Sequence, residues 1–486
     1  MGCYAGPVVN GFAHALSLDE SGDLPLFLRI ARAVRDDVRR GRLLPGAALP
    51  GSRTLATQLG VHRNTVLAAF RELAAEGWIE ARPAGGTYVS ADIPRELPRR
   101  LAKAATRAGF SLPAAPSPRP PEPPPNTFVL AAGTPDLRLV PRDLVARAYR
   151  RALRSAPLGY VPPEGHPRLR TALTEMLAEL RGLTFDRDAL LVTRGAQAAL
   201  DLTARVLLDG HPGAAVAVEA LGYRPAWQAF RAAGARLVPV PVDEHGLSVD
   251  ALAEIEGLRA VYLTPHHQYP TTVTLSPARR LALLALARAR RFAVVEDDYD
   301  FEFHYEGRPV LPLASDDQSG NVIYVGTLAK ILAPALRLGF LAGPAPFVAH
   351  ATALRVAIDR QGDPALELAV AELLEDGELQ RHVRRVRRAY RERRDALLAA
   401  LDRHLEGTLV ARKPPGGMAA WAEVRGVDAE ALVAAAAREG VSFLPGRAYA
   451  FDGRARPFVR LGFASLDPSE LDEAMRRVAR GLRRRA

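Results

Sequence analysis

Cysteine is almost missing from this chain of 486 residues: Cys3 stands alone, which excludes internal disulfides and a thiolate metal cluster. No metal site is expected. Long apolar runs are missing too. None approaches the roughly 20 residues that span a bilayer, so no membrane partner is expected. The first residues lack the basic segment of a secretory signal and the Ser or Thr that myristoylation needs at position six, and the expected location is the cytoplasm. Residues 1–22 carry no usable pattern. Lysine is the third scarcity. Of 65 basic residues only Lys103, Lys330 and Lys413 are not arginine, so where positive charge alone suffices this composition supplies Arg. A lysine can do what an arginine cannot, because its amine can lose a proton and attack a carbonyl to form a Schiff base.

What is present points to a large globular protein with a basic front. The length suggests two or three units, 48% of the residues are hydrophobic, and the net charge is +11 with a pI near 10.1. Most of that excess lies in residues 23–127, which favours a polyanionic partner. Leu26, Ile30, Val34 and Val38 recur every four residues and predict an amphipathic helix that stops at Gly41. Ser52 is placed to cap a short helix with Leu55, Ala56 and Leu59 inside. Gly60 then turns the chain into a second helix with Val66, Phe70 and Leu73 inside. A strand at Trp78-Ile79, a turn at Ala84-Gly85-Gly86 and a strand at Thr87-Tyr88-Val89 complete a winged helix-turn-helix over residues 23–91. Such a unit sets its second helix in the major groove of double-stranded DNA. His62, Arg63, Asn64, Thr65 and Arg71 then belong to the reading helix, Arg53 to a phosphate contact, and Arg82 with Gly86 to the wing.

This stretch resembles the GntR class of bacterial winged-helix repressors. Pro45-Gly46, Leu49-Pro50, Ser52-Arg53, Leu55-Ala56, Leu59-Gly60-Val61, Arg63-Asn64-Thr65-Val66, Leu73, Glu76-Gly77 and Gly86-Thr87 stand at that family's spacing. Gly51 and His62 depart from it, standing where serine is usual.

Residues 92–127 are rich in proline and base, a composition that resists helix and sheet and predicts a semi-rigid polyproline spacer. From residue 128 to 486, strand-like runs alternate with helical ones: Leu190–Val192, Val216–Val218, Arg236–Val240, Ala260–Leu263, Phe292–Val295 and Val322–Tyr324. That alternation predicts a doubly wound α/β core. Lys330 follows the last of these strands, at the carboxyl end where open α/β sheets hold ligands. Gly195-Ala196-Gln197 opens a helix whose first-turn N–H groups suit a phosphate. Glu296-Asp297-Asp298-Tyr299 follow another strand, and four polar groups there need a ligand or partners. An amine, a carboxylate, an aromatic at Tyr223 and a phosphate-binding turn are together the requirements of pyridoxal 5'-phosphate.

Here the chain resembles fold-type I, aspartate aminotransferase-like enzymes and, with its front end, the MocR subgroup of GntR regulators. The resemblance implies Lys330 as the Schiff-base lysine, Asp297 facing the ring nitrogen, Tyr299 near the ring hydroxyl and Tyr223 stacked on the ring. It implies Thr327, Arg337 and the Gly195-Ala196-Gln197 turn on the phosphate. Tyr160 would reach the phosphate of a partner subunit, hence a homodimer, and Arg460 would bind the carboxylate of a small-molecule effector. Ala329 departs from the serine usual before the lysine. His267-Gln268-Tyr269-Pro270-Thr271-Thr272 lacks the asparagine of ordinary aminotransferases and has Thr272 where the MocR form has glycine. The expected function is a DNA-binding regulator that senses the cofactor or an amino compound condensed with it. Two alternatives stay open: an aminotransferase whose front end plays a minor role, and a repressor whose large domain only dimerises.

Overall fold

The computed structural model describes residues 16, 18, 24–82, 85–93, 109–111, 123–130, 133–157 and 159–484. Ala84 of the wing turn, Lys103 and prolines 113–121 of the spacer lie outside the described residues. The chain divides into two compact units, Met1–Pro120 and Pro121–Ala486.

The first unit is built from α1 (Leu26–Arg39), β1 (Ala48–Leu49), α2 (Ser52–Leu59), α3 (Arg63–Ala75), β2 (Ile79–Ala81) and β3 (Thr87–Val89). Ile30 and Val34 of α1, Leu55 of α2, and Val66 and Leu73 of α3 are buried in one core closed by Ile79 and Val89. Leu26, predicted to face inward, is 37% exposed, and Phe27 of the same turn packs against that core instead. The strands form an antiparallel sheet in the order β1-β3-β2, which is the wing. Ser52 does not cap α2. It is the first helical residue, Gly51 holds the cap position, and the Ser52 hydroxyl accepts instead from Arg63 Nε at 3.3 Å.

The second unit is organised by a seven-stranded sheet. Its order is Leu190–Thr193, Gly339–Ala342, Val322–Thr327, Ala293–Asp298, Leu258–Leu263, Ala215–Glu219, Arg236–Val240. Alternate residues of one strand enter different cores: Ile323 and Val325 pack on one face, while Tyr324 packs on the other. Burial on both faces is what β-rich runs without polar alternation require. Gly339–Ala342 was not foreseen from sequence. It runs antiparallel to both neighbours, because residues 328–338 contain no crossover helix that would return the chain parallel. A four-stranded antiparallel sheet, with Ala419–Val424 and Phe458–Gly462 at its centre, and the long helix Glu378–Leu405 follow.

Candidate functional site

The acidic run is buried inside its strand rather than beyond it: Ala293–Asp298 extends through Glu296, Asp297 and Asp298, which are 0%, 5% and 3% exposed. Each has partners supplied from afar. Glu296 accepts from the amides of Leu313 and Ala314 at 2.7 and 3.0 Å. Asp298 accepts from the Tyr324 hydroxyl at 2.7 Å beside buried Arg181, which also pairs with Glu302. Tyr299 donates to the His267 carbonyl at 3.0 Å. Asp297 accepts from the Tyr262 hydroxyl at 2.8 Å on Oδ2, and its Oδ1 is buried without a partner.

Asp297 faces a cavity of about 240 Å³ whose lining includes Lys330, Tyr223, Tyr299, Thr327 and Arg337. The Lys330 amine is half-buried and donates to the Gly133 carbonyl at 2.7 Å. Burial lowers its pKa, against the pull of Asp300 and Asp297, which favours a nucleophilic amine. Burial also pushes Asp297 up to about 7, opposed by the Tyr262 hydrogen bond. A cationic ring nitrogen set against Oδ1 would reverse that cost. Burial drives Asp300 to about 7 and Glu219 to about 8. Tyr223 meets Tyr269 edge-on with centroids 5.4 Å apart, and burial pushes its hydroxyl up to about 12.

At the other end of the cavity the helix Ala196–Leu208 begins. Gly195 has φ +79°, and a Cβ there would lie 3.0 Å from the Arg337 guanidinium. Its own amide is occupied by the Thr193 carbonyl at 2.8 Å, so Gly195 supplies shape, while Ala196 and Gln197 supply first-turn amides with no helical acceptor. Arg337 closes the short 3₁₀ turn Pro334–Leu336 in a left-handed conformation, φ +50°, and donates to the Arg194 carbonyl at 3.1 Å. A carboxylate-bearing ring pocket with an amine at one wall and a helix start at the other fits pyridoxal 5'-phosphate.

Three predicted residues, Gly195, Arg460 and Tyr160, lie outside this lining. Arg460 is 1% exposed, sits 4.0 Å over the Tyr269 ring, and has Nε and Nη1 unpartnered; it stands behind Tyr269 and Tyr299. Tyr160 is 80% exposed under the Arg360 guanidinium. Gly133, Thr134, Thr264 and Tyr269 line the cavity without having been assigned a role. Only Tyr269, inside the quoted 267–272 stretch, carried a signal.

In the first unit Arg53, His62, Arg63, Asn64 and Arg71 are exposed and Thr65 is half-buried. The His62 ring caps α3, Nδ1 accepting from the Asn64 amide at 3.2 Å, so histidine performs the capping task of the usual serine. Arg71 Nε donates to the Leu67 carbonyl at 3.3 Å. At the wing, Arg82 pairs with Glu80 at 2.9 Å and lies 4.3 Å over Tyr88, while Gly86 has φ +130°.

Residues 26–89 match the family of bacterial regulatory proteins called gntR, and residues 125–478 match aminotransferase class I and II. The chain is 34% identical to the probable rhizopine catabolism regulatory protein MocR of Rhizobium meliloti, over 95% of this chain and 94% of that one. It is 35% identical to the regulator TauR of Rhodobacter capsulatus, over 94% and 96%. The α-aminoadipate aminotransferase LysN of Thermus thermophilus, solved with N-(5'-phosphopyridoxyl)-L-leucine, superposes with a TM-score of 0.68 at 33% identity, over 74% of this chain and 92% of that one. A gntR-type winged helix followed by a fold-type I aminotransferase domain, in relatives matched along nearly their whole length, makes this chain a member of the MocR-type GntR regulators.

Proposed function

We propose that this protein is a DNA-binding transcription regulator that holds pyridoxal 5'-phosphate in its second unit and reads the cofactor, or an amino compound condensed with it, as its signal. One observation carries the reading: Lys330 and Asp297 line the same cavity, and Asp297 Oδ1 is buried there without a partner. When bound, the cofactor supplies an electrophilic aldehyde and, with its ring nitrogen protonated, an electron sink. Lys330 would hold the aldehyde end, Asp297 would keep a proton at the ring nitrogen, and Tyr223 would cover a ring face. Tyr299 would serve the ring hydroxyl. Thr327, Arg337 and the Ala196 and Gln197 amides take the phosphate, shaped by Gly195. The buried unpartnered guanidinium atoms of Arg460 suit a carboxylate on the effector.

A ligand shifts DNA affinity only through different affinities for two arrangements of the protein. Arg53, His62, Arg63, Asn64, Thr65, Arg71, Arg82 and Gly86 form the proposed operator face. A homodimer completes the cofactor site. A groove of about 660 Å³ shares Arg337 with the phosphate end, and Tyr160, exposed beneath Arg360, is placed at the surface to serve a second copy. Arg460 also favours a second reading, a working aminotransferase.

Capture of genomic DNA fragments by the full chain, with and without pyridoxal 5'-phosphate, separates the two. Recovery of a defined set changing at least tenfold with cofactor, and not changing in Lys330→Ala, is expected. Equal recovery in every arm rejects the sensor reading. Steady turnover of an amino acid with a keto acid, and no captured DNA, establishes the enzyme.

A further inference from the structure

Next to the cofactor cavity, but outside its lining, three histidines converge. His266 and His267 follow the strand Leu258–Leu263, and His304 lies in the segment after Ala293–Asp298. A ring nitrogen from each lies within 4.8 Å of the other two. His266 and His267 are 4% and 1% exposed, while His304 is half-buried. Neither nitrogen of His266 has a partner, nor does His267 Nε2 or His304 Nδ1. Buried imidazole nitrogens without hydrogen bonds are rare because they lose water and gain nothing. Three at one point call for a shared partner.

From this geometry we propose that His266, His267 and His304 bind one divalent transition-metal ion of the zinc class. The donor set is right for it: imidazoles suit zinc, copper, iron and nickel and are poor ligands for magnesium or calcium. His267 has the outer support that metal-binding histidines carry, because its Nδ1 meets Asp300 Oδ1 at 2.8 Å, which fixes the ring and leaves Nε2 as the lone-pair nitrogen. Negative charge is at hand. Asp298 acts electrostatically on both His266 and His267 and has a buried unpartnered Oδ1, while its Oδ2 shares the Arg181 guanidinium with Glu302, so two carboxylates offset that one cation.

There is also a way in. A cavity of about 270 Å³, lined by Phe301, Glu302, His304, Leu374 and Arg387, opens onto the third ligand. Metal–nitrogen bonds of about 2.0–2.1 Å place tetrahedral donors roughly 3.4 Å apart, so the cluster must contract. His304, half-buried at the mouth of that cavity, is the side chain able to move. A single cysteine does not count against the site, because this ligand set needs no thiolate. The site would pin two loops together: His267 accepts from Tyr299 and is followed closely by Tyr269, and both tyrosines line the cofactor cavity.

The test uses the full chain carrying Cys3→Ser, stripped with a chelator and titrated with Zn²⁺ alone against a chromophoric competitor, without pyridoxal 5'-phosphate. One tight site per chain is expected, weakened at least 100-fold in His266→Ser and in His304→Gln. Co²⁺ in the same protein should give the intense visible bands of a tetrahedral nitrogen site. Less than threefold weakening in His304→Gln, or a faint octahedral cobalt spectrum, overturns the proposal. Should His266→Ser fail to fold, His304→Gln at the half-buried position decides, provided its metal-free melting and circular dichroism match the parent. Because no cofactor is present, the result is independent of the sensor reading.

Discussion

The two units place their charge differently. In the winged helix the side chains that would meet DNA sit in water: Arg53, Arg63, Asn64 and Arg71 are exposed, and Arg63 and Arg71 pair with the neutral oxygens of half-buried Ser52 and Leu67. In the second unit Asp297, Asp300, Glu219 and Lys330 are withdrawn from water, and burial moves the pKa of every one. Exposed charge responds to salt and little to modest changes in structure. Buried charge responds to pH and to whatever fills the cavity. One half is built to be screened, the other to be neutralised.

Removing the amine gives the largest contrast. In Lys330→Ala, borohydride treatment should leave no cofactor attached to the protein by mass spectrometry, against near-complete labelling of the parent, while DNA affinity without cofactor stays within about twofold. Labelling that persists would move the attachment to another amine and remove the cavity from the argument.

Asp297→Asn should move two quantities in opposite directions. Without cofactor it should stabilise the protein at pH 8.5 by about 2–4 kcal/mol, since a carboxylate held near pH 7 by burial costs that order to ionise, and Asn can still accept from Tyr262. Cofactor affinity should fall about tenfold or more, because the ring nitrogen loses its counter-charge. Thermal melting and a cofactor titration read the two effects separately.

The same groups fix the pH dependence. The folded pKa values of Asp297 and Asp300, about 7, and of Glu219, about 8, lie above the ordinary carboxylate value near 4. Between those limits the folded state binds more protons than the unfolded one, so stability is greatest at the acid end and is lost as pH rises through 7 to 8. The cofactor-free melting temperature should therefore fall between pH 6 and pH 8.5, and cofactor should flatten the fall. A melting temperature that rises over this interval would show that these carboxylates are solvated.

This division also explains what was legible in the sequence. Five of the six strand runs were readable because a sheet buried on both faces needs unbroken β-branched and aliphatic stretches; the sixth, Arg236–Val240, is an edge strand and only partly covered. Gly339–Ala342 escaped because it is short, opens on a glycine and owes its place to Gly195, whose backbone leaves no room for a Cβ at 339. The acidic run read as a strand end because local pattern cannot see partners such as Leu313 and Tyr262. Lys330 was conspicuous by composition, but its hydrogen bond to Gly133, far away in the chain, was not readable.

On the exposed side the effects are smaller. Arg63→Ala should weaken binding to a selected operator fragment by about 1 kcal/mol if the residue holds a phosphate, and lower the salt slope by about one. A loss confined to one base position would mark it as a base reader instead. Stability should barely move, since its bond to Ser52 lies at the surface.

His62→Ser is the finest probe of the contrast. The imidazole accepts from the Asn64 amide at 3.2 Å, and a serine hydroxyl at the same cap position accepts from the same turn. Serine is among the preferred capping residues, and only loss of the cap costs about 0.5–2 kcal/mol, so melting of the winged helix should not fall. Any shift in operator preference then belongs to the exposed edge of the ring, the part that serine cannot reproduce. A clear drop in stability with unaltered sequence preference would make His62 a structural cap and leave Arg63 and Asn64 as the readers.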